Sequence, residues 1–311
     1  MAAQETILIT GGSGMVGRNV QDHPAAISRR ILAPRSCELD LTDEAAVRSY
    51  IDHHRPDVVI HCAGRVGGIQ ANIANPVAFL ELNTAMGRNV VLASHRAGVK
   101  RLLNLASTCI YPREAPNPLR EEMVLTGALE PTNEGYALAK IFTLRLCEYI
   151  RREDPDAQFK SLIPCNLYGY HDTFDPKRSH LVPAILHKVH EAKQTGADTV
   201  EIWGDGTARR EFMFSADLAD AIWRAVDDMD DIPDTMNVGP GVDHSVNEYY
   251  RIAAEVVGWE GTFTYDRSMP VGMMQKLCSV ARQSDWNWAP ATDLRTGLSA
   301  TYAHYLERAS A

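Results

Sequence analysis

The chain has 311 residues, 45% of them hydrophobic, enough to bury the core of one large domain or two unequal ones without disulfide staples. Its formal net charge of −9 is dispersed along the sequence, with no basic stripe of the kind that neutralises a phosphate backbone, which excludes nucleic acid as a partner. No apolar run approaches the ~20 residues that cross a bilayer, MAAQETILIT has neither a basic flank nor a cleavage site, and the six cysteines show no C-x-x-C pairing. The expectation is therefore a cytoplasmic protein with reduced thiols, no membrane and no metal.

The first apolar run, TILIT, predicts a strand, and GGSGMVGRNV after it opens a helix. Gly11, Gly14 and Gly17 stand at G-x-x-G-x-x-G spacing at that junction. Glycines there permit a tight turn and close approach of backbone to a diphosphate, while the helix N-terminus turns free N–H groups toward the anion. Gly11, Gly12, Ser13, Gly14, Met15, Val16 and Gly17 are the expected dinucleotide loop. The second strand, RRILA, runs into Pro34 and Arg35 with no carboxylate to hold an adenosine ribose. A guanidinium suits a phosphate monoester, which favours NADP(H) over NAD; a solvated loop cation is the competing reading of Arg35. Asp40, in ELDLTD, either reaches the adenine or caps the helix EAAVRSYIDHH. Ala63, ending the strand DVVIHCA, is assigned to the same cofactor site.

A long helix, AFLELNTAMGRNVVLASHRAG, precedes the strand RLLNLAS, which ends in Ser107, Thr108 and Cys109. In NEGYALAK, Tyr136 and Lys140 stand four apart, on one face of a predicted helix. A nearby ammonium favours the phenolate, so Tyr136 is expected to donate and accept a proton near neutral pH, with Ser107 holding the same oxygen. Strands alternating with helices up to FKSLIPC predict an α/β fold: a Rossmann-type doubly wound parallel sheet over residues 1–169. Beyond Gly169 the helix LVPAILHKVHEAKQ and the short strands VEIWG, EFMFS, TMNVG and TFTYD predict a smaller α/β substrate lobe over 170–311, with some exchange of strand and helix between lobes.

The stretches GGSGMVGRN, VGGIQAN, STCIYP, LEPTNEGYALAK, NLYG, HLVPAILHKVHEAK and WGDGTARREF together resemble the extended short-chain dehydrogenase/reductase family, over nearly the whole chain. Within it they are similar to the enzymes that epimerise carbons 3 and 5 and reduce carbon 4 of GDP-4-keto-6-deoxy-D-mannose. The resemblance implies a Ser107, Tyr136 and Lys140 triad, Cys109 and His180 as the epimerisation pair, and Pro164, Cys165, Asn166 and Leu167 along the nicotinamide. The resemblance sets His180 beside the cofactor as well.

Chemistry fits that reading. Removing a proton beside a ketone requires a stabilised enolate oxygen, which Ser107 and Tyr136 supply, and Cys109 would be the base once Lys140 or protonated His180 lowers its pKa. His180 would return a proton from the opposite face. The competing reading of Cys109 is a packed core thiol, and of His180 a helix cap. Lys188, Arg210 and Lys276 are the expected cations for two phosphates and Trp203 the flat surface for the base; the resemblance assigns the same role to Lys188, Trp203 and Arg210. One departure concerns the sugar: the family often has an acidic residue where this chain reads Pro270, Val271, Gly272, so a related GDP-4-keto sugar, dideoxy or heptose, stays open as substrate, as does a cofactor-recycling epimerase. The two long helices are expected to pair subunits into a homodimer.

Overall fold

Residues 4–175, 179–269 and 272–309 are described by the computed structural model; Pro270 and Val271, on which the sugar departure rests, lie outside them. In chain order the strands are β1 (Thr6–Thr10), β2 (Arg30–Leu32), β3 (Val58–His61), β4 (Arg101–Leu105), β5 (Gln158–Pro164), β6 (Asn166–Tyr168), β7 (Thr199–Trp203), β8 (Arg209–Arg210), β9 (Phe212–Phe214), β10 (Thr235–Val238), β11 (His244–Ser245), β12 (Thr262–Asp266) and β13 (Gln275–Lys276). The helices are α1 (Met15–Asp22), α2 (Glu44–His54), α3 (Ile69–Ala74), α4 (Pro76–Arg96), α5 (Glu134–Glu153), α6 (Leu181–Thr195), α7 (Ser215–Asp227), α8 (Val246–Val257), α9 (Ala281–Asp285) and α10 (Leu294–Ala309).

Six strands form one all-parallel sheet in the order β10-β5-β4-β3-β1-β2. Its strands are apolar on both sides because both faces are covered. In β1 the period of two sends Ile7 and Ile9 toward α1 and α7, and Leu8 toward α2, α4 and α5. β2 and β3 lie on opposite sides of β1, so the crossovers diverge at its carboxyl end and leave a crevice there.

TMNVG, read among the strands of the second half, joins this large sheet as β10 beside β5, and α7 packs with it on the α1 side. Burial explains the difference from its neighbours. All four residues of β10 are buried, as a strand covered on both faces requires, whereas β7 alternates exposed and buried residues. Elsewhere in the second half, Tyr168, Ile185, Val189, Tyr249 and Leu298 join α6, α8 and α10 in a separate core. There β7 pairs with β12 and β8 lies between β11 and β13. Among the described residues no helix is long and apolar enough to cross a membrane.

Candidate active site

A cavity of about 920 Å³ runs from the carboxyl ends of β1, β3 and β4 into the smaller lobe. Gly11 turns the chain out of β1 at φ +72°, and a Cβ there would stand 2.7 Å from the Ala63 backbone. A Cβ at Gly17 would lie 2.3 Å from the Gly11 carbonyl, so α1 seats directly on the loop only because residue 17 lacks a side chain. Gly14 caps α1 without a side-chain hydrogen bond, and Ser13 to Gly17 line the cavity, which leaves the first N–H groups of the helix for an anion. This cradle fits a dinucleotide diphosphate.

At the end of β4 the backbone stays extended through Ser107 and then tightens into a 3₁₀ turn over Thr108–Ile110. The turn directs Ser107 and Cys109 to the cavity and buries Thr108. Tyr136 and Lys140, one turn apart near the start of α5, reach the same place. The Ser107 hydroxyl stands near enough to both Tyr136 and Cys109 to draw the pKa of each downward. Lys140 donates to the Leu105 carbonyl at 2.8 Å, and its Nζ lies 5.8 Å from the Tyr136 ring centroid.

The electrostatics differ from the expectation. Burial, followed by the Cys109 thiol, raises the Tyr136 pKa against the opposing Ser107 hydrogen bond; Lys140, itself depressed by burial, does not pull the phenol down. Tyr136 therefore holds its proton, the form a donor needs. Burial also raises the Cys109 pKa, and the leading charge opposing it is Lys276, ahead of Lys140; His180 takes no part. Desolvation wins in both cases because the groups are buried and few charges replace the water they lose.

His180 stands at the N-terminus of α6, opens onto the cavity and makes no cap hydrogen bond; burial lowers its pKa, so it rests neutral. Further along α6, Lys188 donates to the Glu201 carbonyl at 3.2 Å with its ammonium 5.2 Å from the half-exposed Trp203 ring. Arg210 and Lys276, adjacent on β8 and β13, complete the wall, and burial depresses the pKa of all three cations. Cations held at a buried cavity wall are a counter-charge for an anion such as a diphosphate.

Of the residues predicted for the site, Gly11, Ser13, Gly14, Met15, Val16, Gly17, Asp40, Ala63, Ser107, Cys109, Tyr136, Lys140, Pro164, Cys165, Asn166, Leu167, His180, Lys188, Trp203, Arg210 and Lys276 line this one cavity. Gly12 does not: it packs against Ala33 beneath the loop. Arg35 does not either. Its side chain is exposed and paired with Glu38 at 3.4 Å, and Pro34 and Ser36 beside it line the cavity instead. Asp40 lines the wall, held by Thr42, while the cap of α2 is Asp43. The sequence reading missed Glu130, Thr132, Asn133, His187 and Tyr250. Asn133, at the N-cap of α5, keeps a buried Oδ1 without a hydrogen-bond partner among the described residues. The signal for it was its place three residues before Tyr136, one helical turn away.

The sequence profile of the NAD dependent epimerase/dehydratase family matches residues 7–239. The chain is 51% identical over 306 residues to a GDP-L-fucose synthase of Azorhizobium caulinodans, covering 98% of each chain. It is 48% identical over 300 residues to a GDP-L-colitose synthase of Yersinia pseudotuberculosis, covering 96% of this chain and 97% of that one. The NADP-bound structure of a GDP-mannoheptose C4 reductase from Campylobacter jejuni superposes with a TM-score of 0.90 at 27% identity, over 98% of this chain and 99% of that one. Profile, relatives, parallel sheet and glycine cradle agree, and the chain belongs to the NAD dependent epimerase/dehydratase family.

Proposed function

We propose that the protein is an NADPH-dependent enzyme that inverts carbons 3 and 5 of GDP-4-keto-6-deoxy-D-mannose and reduces carbon 4, giving GDP-L-fucose. The observation that carries this reading is a thiol and an imidazole lining the same cavity as a serine and a tyrosine that act on one another, in a chain 51% identical to a GDP-L-fucose synthase. Residues 1–169, completed by α7 and β10, hold the cofactor, and the remainder of 170–311 holds the sugar nucleotide.

In this reading Ser107 and Tyr136 grip the ketone oxygen and stabilise the enolate formed when a neighbouring carbon loses its proton. Cys109 and His180 serve the two faces of the sugar ring, one removing and one returning the proton. Both rest neutral, so His180 is ready to accept a proton and Cys109 to give one; Cys109 acts as a base only after its own proton has passed to solvent, and Lys276 and Lys140 favour the thiolate so formed. Lys140 orients the cofactor and Tyr136. When bound, NADPH supplies hydride to carbon 4, and Tyr136, already protonated, gives its proton to the oxygen. Ser36 at the rim meets the 2′-phosphate, Asp40 the adenosine, and Ala63 and Pro164 to Leu167 the rest of the dinucleotide. Two subunits pair through α4 and α5 as a homodimer.

The test is turnover with NADPH in heavy water. Stoichiometric NADPH oxidation with deuterium at carbons 3 and 5 of the product is expected. Cys109→Ser should slow exchange by about 100-fold or more, in the range of lost acid–base catalysis, and spare reduction of an already epimerised ketosugar. Equal loss of both steps would take Cys109 out of the epimerisation. The 48% identity to a GDP-L-colitose synthase favours a second reading, a GDP-4-keto dideoxy sugar as substrate. A higher kcat/KM for the dideoxy ketosugar would establish it.

A further inference from the structure

His187 lies on the cavity face of α6, together with His180, Ala184 and Lys188. At 1.5 Å per residue it stands about 10 Å along the helix from His180, which serves the sugar, and next to Lys188, which lies over Trp203. A ligand with its hexose at His180 and its base at Trp203 passes its diphosphate between them. The Nδ1 of His187 is engaged from behind, 3.2 Å from the Tyr305 hydroxyl on α10. The Tyr305 ring is itself fixed, 4.7 Å from Phe174 and stacked on Tyr302 at 6.2 Å and 21°.

We propose that His187 is a diphosphate-binding residue of the sugar nucleotide, its Nδ1 accepting from Tyr305 so that Nε2–H donates to a phosphate oxygen. The inference rests on the GDP-sugar reading and adds a contact and a strap to it. With Nδ1 facing Tyr305, Nε2 is the polar atom left for the cavity. A hydroxyl can serve either tautomer, and a phosphate oxygen selects the one with the proton on Nε2. Tyr305 thus makes the C-terminal helix a positioning element for the substrate site: it holds the imidazole in one orientation without touching the ligand. This contact differs from those of Lys188, Arg210 and Lys276, which act as charges, because a ring held at one nitrogen is directional.

The probes are GDP and guanosine, titrated calorimetrically against the intact protein. His187→Leu should weaken GDP binding by about tenfold or more, the scale of a hydrogen bond to a charged group, and leave guanosine binding unchanged. Tyr305→Phe should weaken GDP binding by about threefold and raise the KM of the ketosugar without lowering kcat. His187→Gln, which keeps an amide donor near the Nε2 position, should restore GDP affinity to within about threefold of the parent, showing that a leucine-specific packing fault is not the cause. Equal loss of GDP and guanosine binding in His187→Leu, unchanged binding of both, or failure of glutamine to rescue would overturn the proposal. A parent protein that binds no GDP would overturn the GDP-sugar reading with it, whereas tight parental binding unaffected by the variants would overturn the His187 assignment alone.

Discussion

His61 shows what the sheet does to a single titratable group. It is 2% exposed at the end of β3, with Nδ1 2.8 Å from the Thr10 hydroxyl, and burial, reinforced by the Lys140 charge, lowers its pKa from 6.5 to about 3. A histidine whose folded pKa is depressed stabilises the native state only where the unfolded chain is also neutral. As pH falls below 6.5 the unfolded chain takes up a proton that the native protein refuses, and the slope approaches about 1.4 kcal/mol per pH unit until about pH 3. Glu211, raised to about 6 chiefly by burial, works in the opposite sense, so the comparison is made by difference. Between pH 7 and pH 5 the parent should lose about 1 to 2 kcal/mol more stability than His61→Gln, whose amide can still meet Thr10; urea unfolding at both values measures it, and parallel losses would refute it. The same desolvation explains where residue-level reading fell short. Ser107, Tyr136 and Lys140 were legible from residue type and spacing, and Cys109 and His180 from the family resemblance. The protonation of Cys109 and Tyr136 was not, because it depends on how little water reaches the end of β4 and on Lys276, brought there from β13.

At the scale of elements, the junction of β1 and α1 carries the most information in the fewest residues. Gly17 faces the Gly11 carbonyl and the Gly12 Cα, both backbone atoms that cannot rotate away, so the extra methyl of Gly17→Ala must push α1 off the loop. Overpacking of this kind costs about 1–3 kcal/mol, and the displaced helix start should weaken NADPH binding by about tenfold or more. Fluorescence titration with NADPH, read beside the thermal midpoint, is the check; unchanged affinity would show that the helix start does not hold the diphosphate. That junction was readable because three glycines, a strand and a helix N-terminus coincide within one short stretch. EAAVRSYIDHH was equally legible, its predicted span being α2 itself. The place of β10 was harder to read, since TMNVG looks like any short strand and only its pairing with β5 shows that both faces are covered. His187 escaped for a related reason: its meaning depends on Tyr305, which only the packing of α10 on the smaller lobe brings near.

For the whole molecule, the proposed homodimer rests on the open face of α4 and α5. The two helices approach closely where Gly87 meets Thr143, a Cβ at residue 87 falling 2.1 Å from the Thr143 hydroxyl, so their inner faces are spent on each other. Their outer faces still expose Val77, Leu80, Leu138, Phe142 and Tyr149, with Leu80 lying against the start of α5 at Gly135. Scattered exposed apolar residues are ordinary, but a run on two adjacent helices marks a surface that water should not meet. A two-fold axis across this face would place α4 and α5 of one subunit against those of the other, and each substitution would then enter the interface twice. In such a dimer Phe142→Glu would bring two carboxylates into an apolar seam, which desolvation opposes. Light scattering at micromolar concentration should give a dimer for the parent and a monomer for Phe142→Glu. Phe142 does not line the cavity, so NADPH affinity should stay within about threefold of the parent, less than 1 kcal/mol. A monomeric parent, or a variant that stays dimeric, would move the subunit contact away from these helices.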